Sequence, residues 1–460
     1  MPDAALATLS PAIHAATALT ADGWQADVRI VLAGGTVATV TTGVPAQPGD
    51  TRVGVIVPAI CNLHSHAFQR GMAGLAERRG PAADSFWSWR ETMYRFALTV
   101  TPDDVEAIAA QLYVEMLEAG FCRVGEFHYL HHDRDGTPYG DVAEMAQRIA
   151  AAAGATGIGL TLLPVFYAHA GFGGARPAAE QRRFISDPDL FARLVEGGRV
   201  AVAGLPGSVV GIAPHSLRAA TAAEIAAILP LAQGGPVHIH VAEQVREVED
   251  CIAATGRRPV QHLMDIAPVD GRWCLIHATH MESDETEALV RSGAVAGLCP
   301  LTEANLGDGT FDAVRFTAAG GRWGVGSDSH IQVGLADELR QLEYSQRLAH
   351  RARNVLAQGG GSTGRALFDT ALAGGAQALG TRPAAIAPGA PADLVALDAG
   401  SPALAGRAGD ALLDAWIFTG MKAVDRVWSA GRPVVIDGRH VDRDRIAARY
   451  ARVATRLAAG

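Results

Sequence analysis

Two histidines separated by one residue, His64 and His66, are the first residues along the chain with the types and spacing for metal chemistry. They end an apolar run that begins at Pro58 and has the composition of a buried β-strand. Because successive side chains of a strand alternate between its faces, this spacing directs both imidazoles to the same side. Two neutral nitrogen donors held side by side form half of a four-ligand site for a metal such as zinc.

Polar residues further along the chain could complete such a site. His240 ends a later apolar run, and Glu243 follows it by three residues. His277 and Asp328 end two further runs. Three imidazoles and one carboxylate can surround a divalent ion and leave one position for water; these ligand types favour zinc, and iron and manganese also accept them. The predicted ligands are His64, His66, His240 and Asp328.

His238 shares a strand face with His240, so both imidazoles could point toward the metal. The last residue of a strand is the better ligand, and His238 is therefore predicted to support the site without binding the ion. Taken singly, His240 or His277 would be read as an ordinary core histidine. Their spacing relative to the other histidines favours the metal site.

Strands must position these residues, and the sequence predicts eight of them. Short apolar runs alternate with longer, alanine-rich amphipathic segments, which is the pattern of βα units. Eight runs at intervals of about 38 residues predict an α/β fold of the (β/α)8 TIM-barrel type, whose sites lie where the strands end. The runs cover residues 60–66, 122–128, 160–166, 209–214, 236–241, 273–277, 294–298 and 323–328.

Helices and a second domain are also predicted. Strand-like segments near both ends of the chain predict one small β-sandwich domain built from residues 1–57 and 385–445. The barrel is assigned to residues 58–384 and a C-terminal helix to residues 446–460. The predicted connecting helices cover residues 102–118, 141–153, 221–231, 282–292 and 337–356.

Composition excludes several classes of function. The formal charge of −9 and the absence of a basic run argue against a nucleic-acid binder. No apolar stretch reaches membrane-spanning length and no signal peptide is recognised, so a cytoplasmic location is expected. The five cysteines form no C-x-x-C pair, which favours reduced thiols. The single lysine, Lys422, lies beyond the motifs, which argues against a lysine-based catalytic site.

The order of these residues resembles the amidohydrolase superfamily, in particular its mononuclear deaminase branch. In that branch a glutamate follows the strand-five histidine by three residues, as Glu243 follows His240 here, and no bridging lysine is used. The resemblance extends from about Val28 to Gly438 and implies hydrolysis by metal-activated water. The catalytic residues that it implies are Glu243, His277 and Asp328.

Six blocks of sequence, at residues 64–70, 86–90, 125–132, 213–218, 276–280 and 326–330, resemble the formimidoylglutamate deiminase family. That family hydrolyses N-formimino-L-glutamate to N-formyl-L-glutamate and ammonia in histidine degradation. The resemblance implies one divalent metal ion, most often zinc with Fe²⁺ as an option, a small dicarboxylate substrate, and a homodimer. The substrate contacts that it implies are Gln69, Arg90, Tyr129, His215 and Arg218.

Two of these contacts, Arg90 and Arg218, also make sense from chemistry alone. Formiminoglutamate has two carboxylates, and a guanidinium can hold a carboxylate through paired hydrogen bonds. Either arginine could instead be an ordinary surface charge. The nearest alternative function is a related deaminase of a nucleobase, nucleoside or pterin, although a neutral heterocycle does not require two guanidiniums. A more distant alternative is a catalytically inactive barrel that serves as a scaffold.

Overall fold

The computed structural model describes residues 11–79, 84–357 and 359–459 of the 460-residue chain, and the structural statements below concern those residues. Residues 1–10 and residue 460, which the sequence assigned to the small domain and the C-terminal helix, lie outside the described ranges. None of the helices within these ranges is long and apolar enough to cross a membrane.

The described residues contain seventeen strands and fourteen α-helices. The strands are β1 (Ala12–Thr20), β2 (Gly23–Ala33), β3 (Thr36–Thr41), β4 (Thr51–Pro58), β5 (Ile60–Ser65), β6 (Phe121–His128), β7 (Gly159–Phe166), β8 (Val209–Val210), β9 (Ala213–Pro214), β10 (Val237–Val241), β11 (Trp273–His277), β12 (Val295–Leu298), β13 (Arg322–Val325), β14 (Leu394–Leu397), β15 (Val424–Ser429), β16 (Arg432–Ile436) and β17 (Arg439–His440). The helices are α1 (Phe86–Ala97), α2 (Pro102–Glu118), α3 (Glu144–Thr156), α4 (Pro188–Val202), α5 (Ala222–Ile228), α6 (Val245–Thr255), α7 (Pro259–Ile266), α8 (Ser283–Ser292), α9 (Pro300–Leu306), α10 (Ala313–Ala318), α11 (Leu335–His350), α12 (Thr363–Ala378), α13 (Ala411–Phe418) and α14 (Arg443–Ala459).

Strands from both ends of the chain form one eight-stranded sheet with the order β17-β16-β15-β14-β4-β1-β2-β3. The antiparallel pair β4–β14 joins the N-terminal strands to the C-terminal ones. Both ends therefore contribute to one sheet, as expected, but the predicted two-layer sandwich is not confirmed. The division of the chain into domains at the predicted residues stays a prediction. Strand β4 is followed after one residue by β5, which carries His64 and ends directly before His66.

Strands β5 to β13 are parallel and lie in two sheets. One contains β5-β6-β7-β8, with β9 also paired to β7, and the other contains β10-β11-β12-β13. Strands β10, β11 and β12 are buried along their whole length, which explains why they read as continuous apolar runs. Isolated parallel bridges, Ser65–Asp328 and Ile212–Val237, link the two sheets at their edges. This parallel α/β arrangement is consistent with the predicted TIM barrel, with bridges in place of continuous ladders at those edges.

Most predicted elements recur, with differences at their ends. Helix α2 coincides with its prediction because Thr101 caps it: the Thr101 hydroxyl accepts from the Asp104 amide at 3.3 Å, and the Asp104 carboxylate accepts from the Thr101 amide at 2.8 Å. The helix predicted to reach residue 356 ends at His350, because Arg351 adopts a left-handed conformation with a φ of 53°. The fourth predicted strand is divided into β8 and β9.

Helix α12 packs directly on the backbones of two strands that position the site. A Cβ atom added at Gly374 would lie 1.9 Å from the carbonyl oxygen of Trp323 on β13. A Cβ atom added at the next residue, Gly375, would lie 3.3 Å from Cys61 on β5. Only glycine therefore permits this approach at Gly374, and the approach holds β5 and β13 side by side.

We expect Gly374→Ala to lower the free energy of unfolding by about 2 kcal/mol or more, because the new methyl group must displace the β13 backbone. Denaturant unfolding measures the change. Gly154→Ala, inside helix α3, is the matched control, since the added Cβ would meet only the Leu205 side chain at 3.3 Å and alanine favours helix. Equal midpoints for the two variants would contradict the close-packing argument.

Candidate active site

Three imidazoles and one carboxylate meet where the parallel strands end. His64 Nε2 lies 3.1 Å from His66 Nε2 and 3.0 Å from His240 Nε2. Asp328 Oδ1 lies 3.5 Å from His64 Nε2 and 3.3 Å from His66 Nε2. All four side chains are buried. The four ligands predicted from the sequence therefore lie in one cluster, which we call the histidine cluster.

The protonation of these imidazoles follows from their hydrogen bonds and burial. His66 Nδ1 donates to the carbonyl oxygen of Phe127 at 3.1 Å, and His240 Nδ1 donates to that of His215 at 3.1 Å. Burial lowers the pKa of His66 to about 3 and holds the pKa values of His64 and His240 well below the usual range. A neutral imidazole that is protonated at Nδ1 has a lone pair at Nε2. The Nε2 atoms of His66 and His240 therefore present lone pairs to the cluster.

The histidine cluster fits a divalent metal ion. Converging lone pairs repel one another unless a cation lies between them. Bonds of about 2.1 Å to a tetrahedral zinc would separate its ligand atoms by roughly 3.4 Å, close to the four distances in the cluster. Nδ1 of His64 is buried without a hydrogen-bond partner in the described part of the chain, so the polar contacts that this ring makes there go through Nε2. The described donor set, three neutral nitrogens and one carboxylate oxygen, is one that zinc prefers.

Backbone strain is concentrated beside these residues. Ala242, His277 and Asp328 have φ values of 52°, 67° and 47°, in the left-handed region that non-glycine residues rarely adopt. Each such residue costs about 1–3 kcal/mol and needs support from its surroundings. The Asp328 amide donates to the His64 carbonyl at 3.0 Å, and the His66 amide donates to the Asp328 carbonyl at 3.2 Å. These bonds fix the Asp328 backbone against the histidine strand.

A second group of side chains lies on the other side of Asp328. His277 Nε2 is 3.7 Å from Glu243 Oε1 and 3.8 Å from Asp328 Oδ2. His277 Nδ1 donates to Glu303 Oε1 at 3.2 Å, which directs Nε2 of His277 toward the site. Sequence reasoning missed Glu303. It lies just after β12, so the rule that strand ends carry the site residues, applied to the seventh run, could have found it.

His277 and Glu243 differ in protonation near neutral pH. Burial raises the pKa of Glu243 to about 7, although the positive charges of His277 and Arg218 act against this. Burial by itself lowers the pKa of His277, but Glu243, Glu303 and Asp328 outweigh it and raise the value to about 10. His277 is therefore a cation, while Glu243 can both accept and release a proton near pH 7.

All five predicted substrate contacts line one pocket together with residues of the histidine cluster and with Glu243. The pocket is lined by His66, Gln69, Phe86, Trp89, Arg90, Met93, Tyr94, Tyr129, Tyr167, Phe184, His215, Arg218, His240, Glu243, Leu306 and Asp328. Residues that are distant along the chain, on α1, on β10 and in the segments after β5, β6 and β9, are thus brought around one small space. The structure brings together every predicted site residue either in this pocket or directly beside it.

The two arginines of the pocket have no carboxylate partner within the described residues. Arg90 stacks on Trp87, with its guanidinium carbon 4.5 Å from the ring centre, and lies 5.5 Å from the ring centre of Tyr94. Arg218 is 9% exposed, and its Nε has no hydrogen-bond partner. Arginine is rarely buried unless it is paired, so these guanidiniums are free to bind an anion.

Several polar side chains in and beside the pocket are hydrogen-bonded to one another. Gln69 Nε2 donates to the Tyr129 hydroxyl at 2.7 Å, and Oε1 of Gln69 remains without a partner in the described part of the chain. Gln181, which sequence reasoning missed, donates to the Tyr167 hydroxyl at 2.6 Å and to the Tyr94 hydroxyl at 3.1 Å. No local motif identifies Gln181, Tyr167 and Tyr94, because the segments that carry them are far apart in sequence and come together only when the chain folds.

His238 lies apart from the histidine cluster. Its Nε2 donates to the carbonyl oxygen of Ala378 on α12 at 2.7 Å. Burial lowers the pKa of His238 to about 4, so the ring is neutral. The structure places His240, and not His238, in the histidine cluster; that His240 binds the ion and His238 does not stays a prediction.

Comparison with known proteins identifies the family. A family model described as "Amidohydrolase family" matches residues 55–434. The crystal structure of an amidohydrolase from Brucella melitensis superposes with a TM-score of 0.94 at 60% identity, covering 97% of this chain and 99% of that chain. An adenosine deaminase from Xanthomonas campestris with bound zinc shares the fold, with a TM-score of 0.82 at 21% identity over 98% of this chain and 99% of its own. The chain belongs to the amidohydrolase family.

More specific matches lie within that family. A model described as the N-terminal domain of formimidoylglutamate deiminase HutF matches residues 10–54. Formimidoylglutamate deiminase from Pseudomonas aeruginosa is 51% identical over 447 residues, which cover 96% of this chain and 98% of that protein. An 8-oxoguanine deaminase from the same organism is 27% identical over 90% of this chain and 91% of its own. The resemblance to formimidoylglutamate deiminases seen in the sequence blocks is confirmed.

Proposed function

We propose that this protein hydrolyses N-formimino-L-glutamate to N-formyl-L-glutamate and ammonia, a step of histidine degradation. The observation that carries the proposal is one pocket lined by two guanidiniums, Arg90 and Arg218, and by the acid–base residue Glu243. Among the described residues, neither guanidinium has a carboxylate partner. The substrate has two carboxylates and one amidine carbon, which match these two features. Similarity to the Pseudomonas aeruginosa enzyme over nearly the whole chain supports the same substrate.

The proposal includes one divalent metal ion, with zinc favoured over Fe²⁺ by the three nitrogen donors. His64, His66, His240 and Asp328 would hold it. When bound, the ion supplies a Lewis acid that makes a water molecule easier to deprotonate near neutral pH. The remaining chemistry belongs to residues of the chain.

Glu243 is proposed to move the proton. As a carboxylate it accepts a proton from the attacking water while the water oxygen forms a bond to the formimino carbon. It then delivers that proton to the formimino nitrogen, which gives a tetrahedral carbon bearing a hydroxyl and an amino group. The hydroxyl proton passes through Glu243 to the same nitrogen, the carbon–nitrogen bond breaks, and ammonia leaves as the carbonyl of the formyl product forms. The cationic His277, 3.7 Å from Glu243, is proposed to stabilise the negative charge that develops on the attacking oxygen.

The substrate is proposed to be held at both ends by positive and polar groups. Arg90 and Arg218 each bind one carboxylate through charge-assisted hydrogen bonds. Gln69, whose Oε1 is free of protein partners in the described residues, Tyr129 and His215 line the same space and orient the substrate. The aromatic walls of the pocket exclude water, which strengthens these interactions.

The rate of turnover is expected to rise as the pH increases through about 7, because Glu243 must lose its proton before it can accept one from water. A bound divalent cation stabilises the Glu243 carboxylate, and it therefore moves this rise in rate to lower pH. The rate is expected to fall again as the pH approaches about 10, where His277 loses its positive charge. Initial rates across this range test the profile, and samples returned to neutral pH control for irreversible inactivation. A flat profile would contradict the assignment of Glu243.

Arg218→Gln is expected to raise KM by about 100-fold, with a smaller effect on kcat, because it removes a charge-assisted contact worth roughly 2–3 kcal/mol. The same substitution at Arg272, an exposed residue paired with Asp270, is the control and is expected to leave both constants unchanged. An analogue that lacks one carboxylate sharpens the test. The KM for this analogue should rise in only one of the variants Arg90→Gln and Arg218→Gln, and should stay unchanged in the other. An equal rise in both variants would contradict the assignment of one carboxylate to each arginine.

The alternative is a deaminase of a nucleobase, nucleoside or pterin. Relatives that act on heterocycles are more distant, at 26% and 27% identity for a 5-methylthioadenosine/S-adenosylhomocysteine deaminase and an 8-oxoguanine deaminase. A neutral heterocycle would leave the buried Arg218 and the half-buried Arg90 without an anion, which is unfavourable. The alternative is therefore less well supported.

Ammonia release from zinc-loaded protein tests the proposal. N-formimino-L-glutamate is assayed beside 8-oxoguanine, guanine, cytosine and S-adenosylhomocysteine. Turnover of the formimino compound alone is the expected result. Ammonia release from a heterocycle alone would overturn the assignment of the substrate and of both arginines as carboxylate-binding residues. It would leave the metal-binding role of the histidine cluster unaffected. A homodimer and a cytoplasmic location remain proposals, which analytical ultracentrifugation and cell fractionation test.

A further inference from the structure

A second group of potential metal ligands lies next to the histidine cluster. Glu243, His277 and Asp308 each offer one ligand atom, and these three atoms lie within 4.8 Å of one another. All three side chains are buried. The group, which we call the carboxylate cluster, shares no residue with the four ligands of the histidine cluster.

Asp308 is the residue that the proposed reaction does not explain. It is only 4% exposed, and it lies just after helix α9. Its Oδ1 accepts a hydrogen bond from Gln244, whereas its Oδ2 is buried without any partner among the described residues. A buried carboxylate oxygen without a donor is unfavourable and requires an explanation such as an ion.

The charges around Asp308 favour the binding of a cation. Burial and the negative charges of Glu243, Glu303 and Asp328 together raise the pKa of Asp308 to about 9, against the effect of His277. Asp308 forms no ion pair with an arginine or lysine within the described residues. An excess of buried carboxylates around one imidazole is the electrostatic environment in which a divalent cation is stabilised.

We propose that Glu243, His277 and Asp308 bind a second divalent transition-metal ion, such as zinc, and that this ion inhibits the enzyme. Two carboxylate oxygens and one imidazole nitrogen are a ligand set that zinc and manganese accept. The 3.7 Å between His277 Nε2 and Glu243 Oε1 is a separation that two ligands of one ion can have. The hydrogen bond from His277 Nδ1 to Glu303 presents Nε2 to the ion, and binding displaces the Nε2 proton.

Inhibition follows from the identity of the ligands, and this part of the inference rests on the proposed function. An ion held by Glu243 and His277 removes both the residue that transfers the proton and the cation that stabilises the transition state. The second ion binds more weakly than the first because two cations in neighbouring sites repel each other. Activity is therefore retained with one equivalent of metal and lost in excess.

Equilibrium dialysis of the one-zinc protein against increasing zinc sulfate tests the site without any substrate. Wild type is expected to bind a second equivalent. Asp308→Asn, which keeps the shape of the side chain and removes its charge, is expected to retain the first equivalent and to weaken the second by a factor on the order of 100. Asp250→Asn, at an exposed aspartate of helix α6, is the matched control and is expected to bind like wild type.

Ammonia release is then measured over the same range of zinc concentrations. Wild type and Asp250→Asn are expected to lose activity as the second equivalent binds, whereas Asp308→Asn should stay active. Binding of only one equivalent by wild type, or retention of the second by Asp308→Asn, would overturn the site. If Asp308→Asn does not fold, Glu243→Gln replaces it in the dialysis and must also lose the second equivalent.

The two readouts separate this inference from the proposed function. Failure of the proposed function would appear as no ammonia from N-formimino-L-glutamate at one equivalent of zinc, with the dialysis result unchanged. Failure of the second site would appear as normal turnover without a second bound equivalent. Two bound equivalents with unchanged turnover would overturn the inhibition and keep the site.

Discussion

Replacing Glu243 with glutamine is expected to lower kcat for N-formimino-L-glutamate by a factor on the order of 10³. Glutamine keeps the size and hydrogen-bonding reach of glutamate, but it cannot take a proton from water and pass it to the leaving nitrogen. The KM should change little, because the carboxylates of the substrate are assigned to Arg90 and Arg218. The measurement is ammonia release under saturating substrate, with metal content determined on the same sample.

Glu249→Gln provides the matched control for this substitution. It makes the same chemical change at an exposed position of helix α6, six residues further along the chain. Its kcat is expected to equal that of wild type. If Glu243→Gln kept about a tenth or more of wild-type kcat with a full complement of metal, Glu243 would not be the group that transfers the proton.

Removal of the divalent ion by a chelator is expected to abolish turnover and to lower the midpoint of thermal unfolding. Without a cation, the neutral imidazoles of His66 and His240 present their lone pairs to one another. An ion present at a thousand times its Kd stabilises the folded protein by about 4 kcal/mol, and that contribution is lost on chelation. Scanning calorimetry and an activity assay, each repeated after zinc, iron or manganese is added back, measure both effects and compare the metals.

Substitutions of two histidines on strand β10 distinguish a role in metal binding from a role in packing. His240→Ala is expected to remove metal and activity together, because its Nε2 is part of the histidine cluster. His238→Ala is expected to keep one equivalent of metal and to lower stability only, because its Nε2 binds the Ala378 carbonyl. If metal content fell equally in both variants, or in neither, the ligand assignment would be wrong.

Much of the fold and the candidate site could be read from local sequence. The alternation of apolar runs with amphipathic segments is a local pattern. It predicted the strands that carry His64 and His240 and the strand that ends three residues before Asp328. Chemistry-bearing residues lie at strand ends in this class of fold, so the order of motifs along the chain was enough to group them. The Thr101–Asp104 cap is equally local, and helix α2 was predicted with its correct bounds.

Other features depended on contacts between distant segments. The edge at which the two parallel sheets meet at Ser65 and Asp328, and the single sheet formed by both ends of the chain, follow from the pairing of segments hundreds of residues apart. The left-handed conformation of Arg351 ends helix α11 early. Because this residue is not a glycine, the sequence gives no local signal that the helix ends there. Side-chain patterns specify which face of a strand is buried, but not which other strand will cover it.

The sequence by itself determined the class of fold and the types of residue available for metal binding and proton transfer, because spacing and periodicity act over a few residues. The family followed from the resemblance of its sequence blocks. Only the tertiary structure decided the charge state of each group. The partnership of His277 with Glu303, the free Oδ2 of Asp308 and the raised pKa of Glu243 arise from burial among residues from different strands and helices. Burial and Coulomb interactions depend on distance in space, and chain separation does not predict that distance.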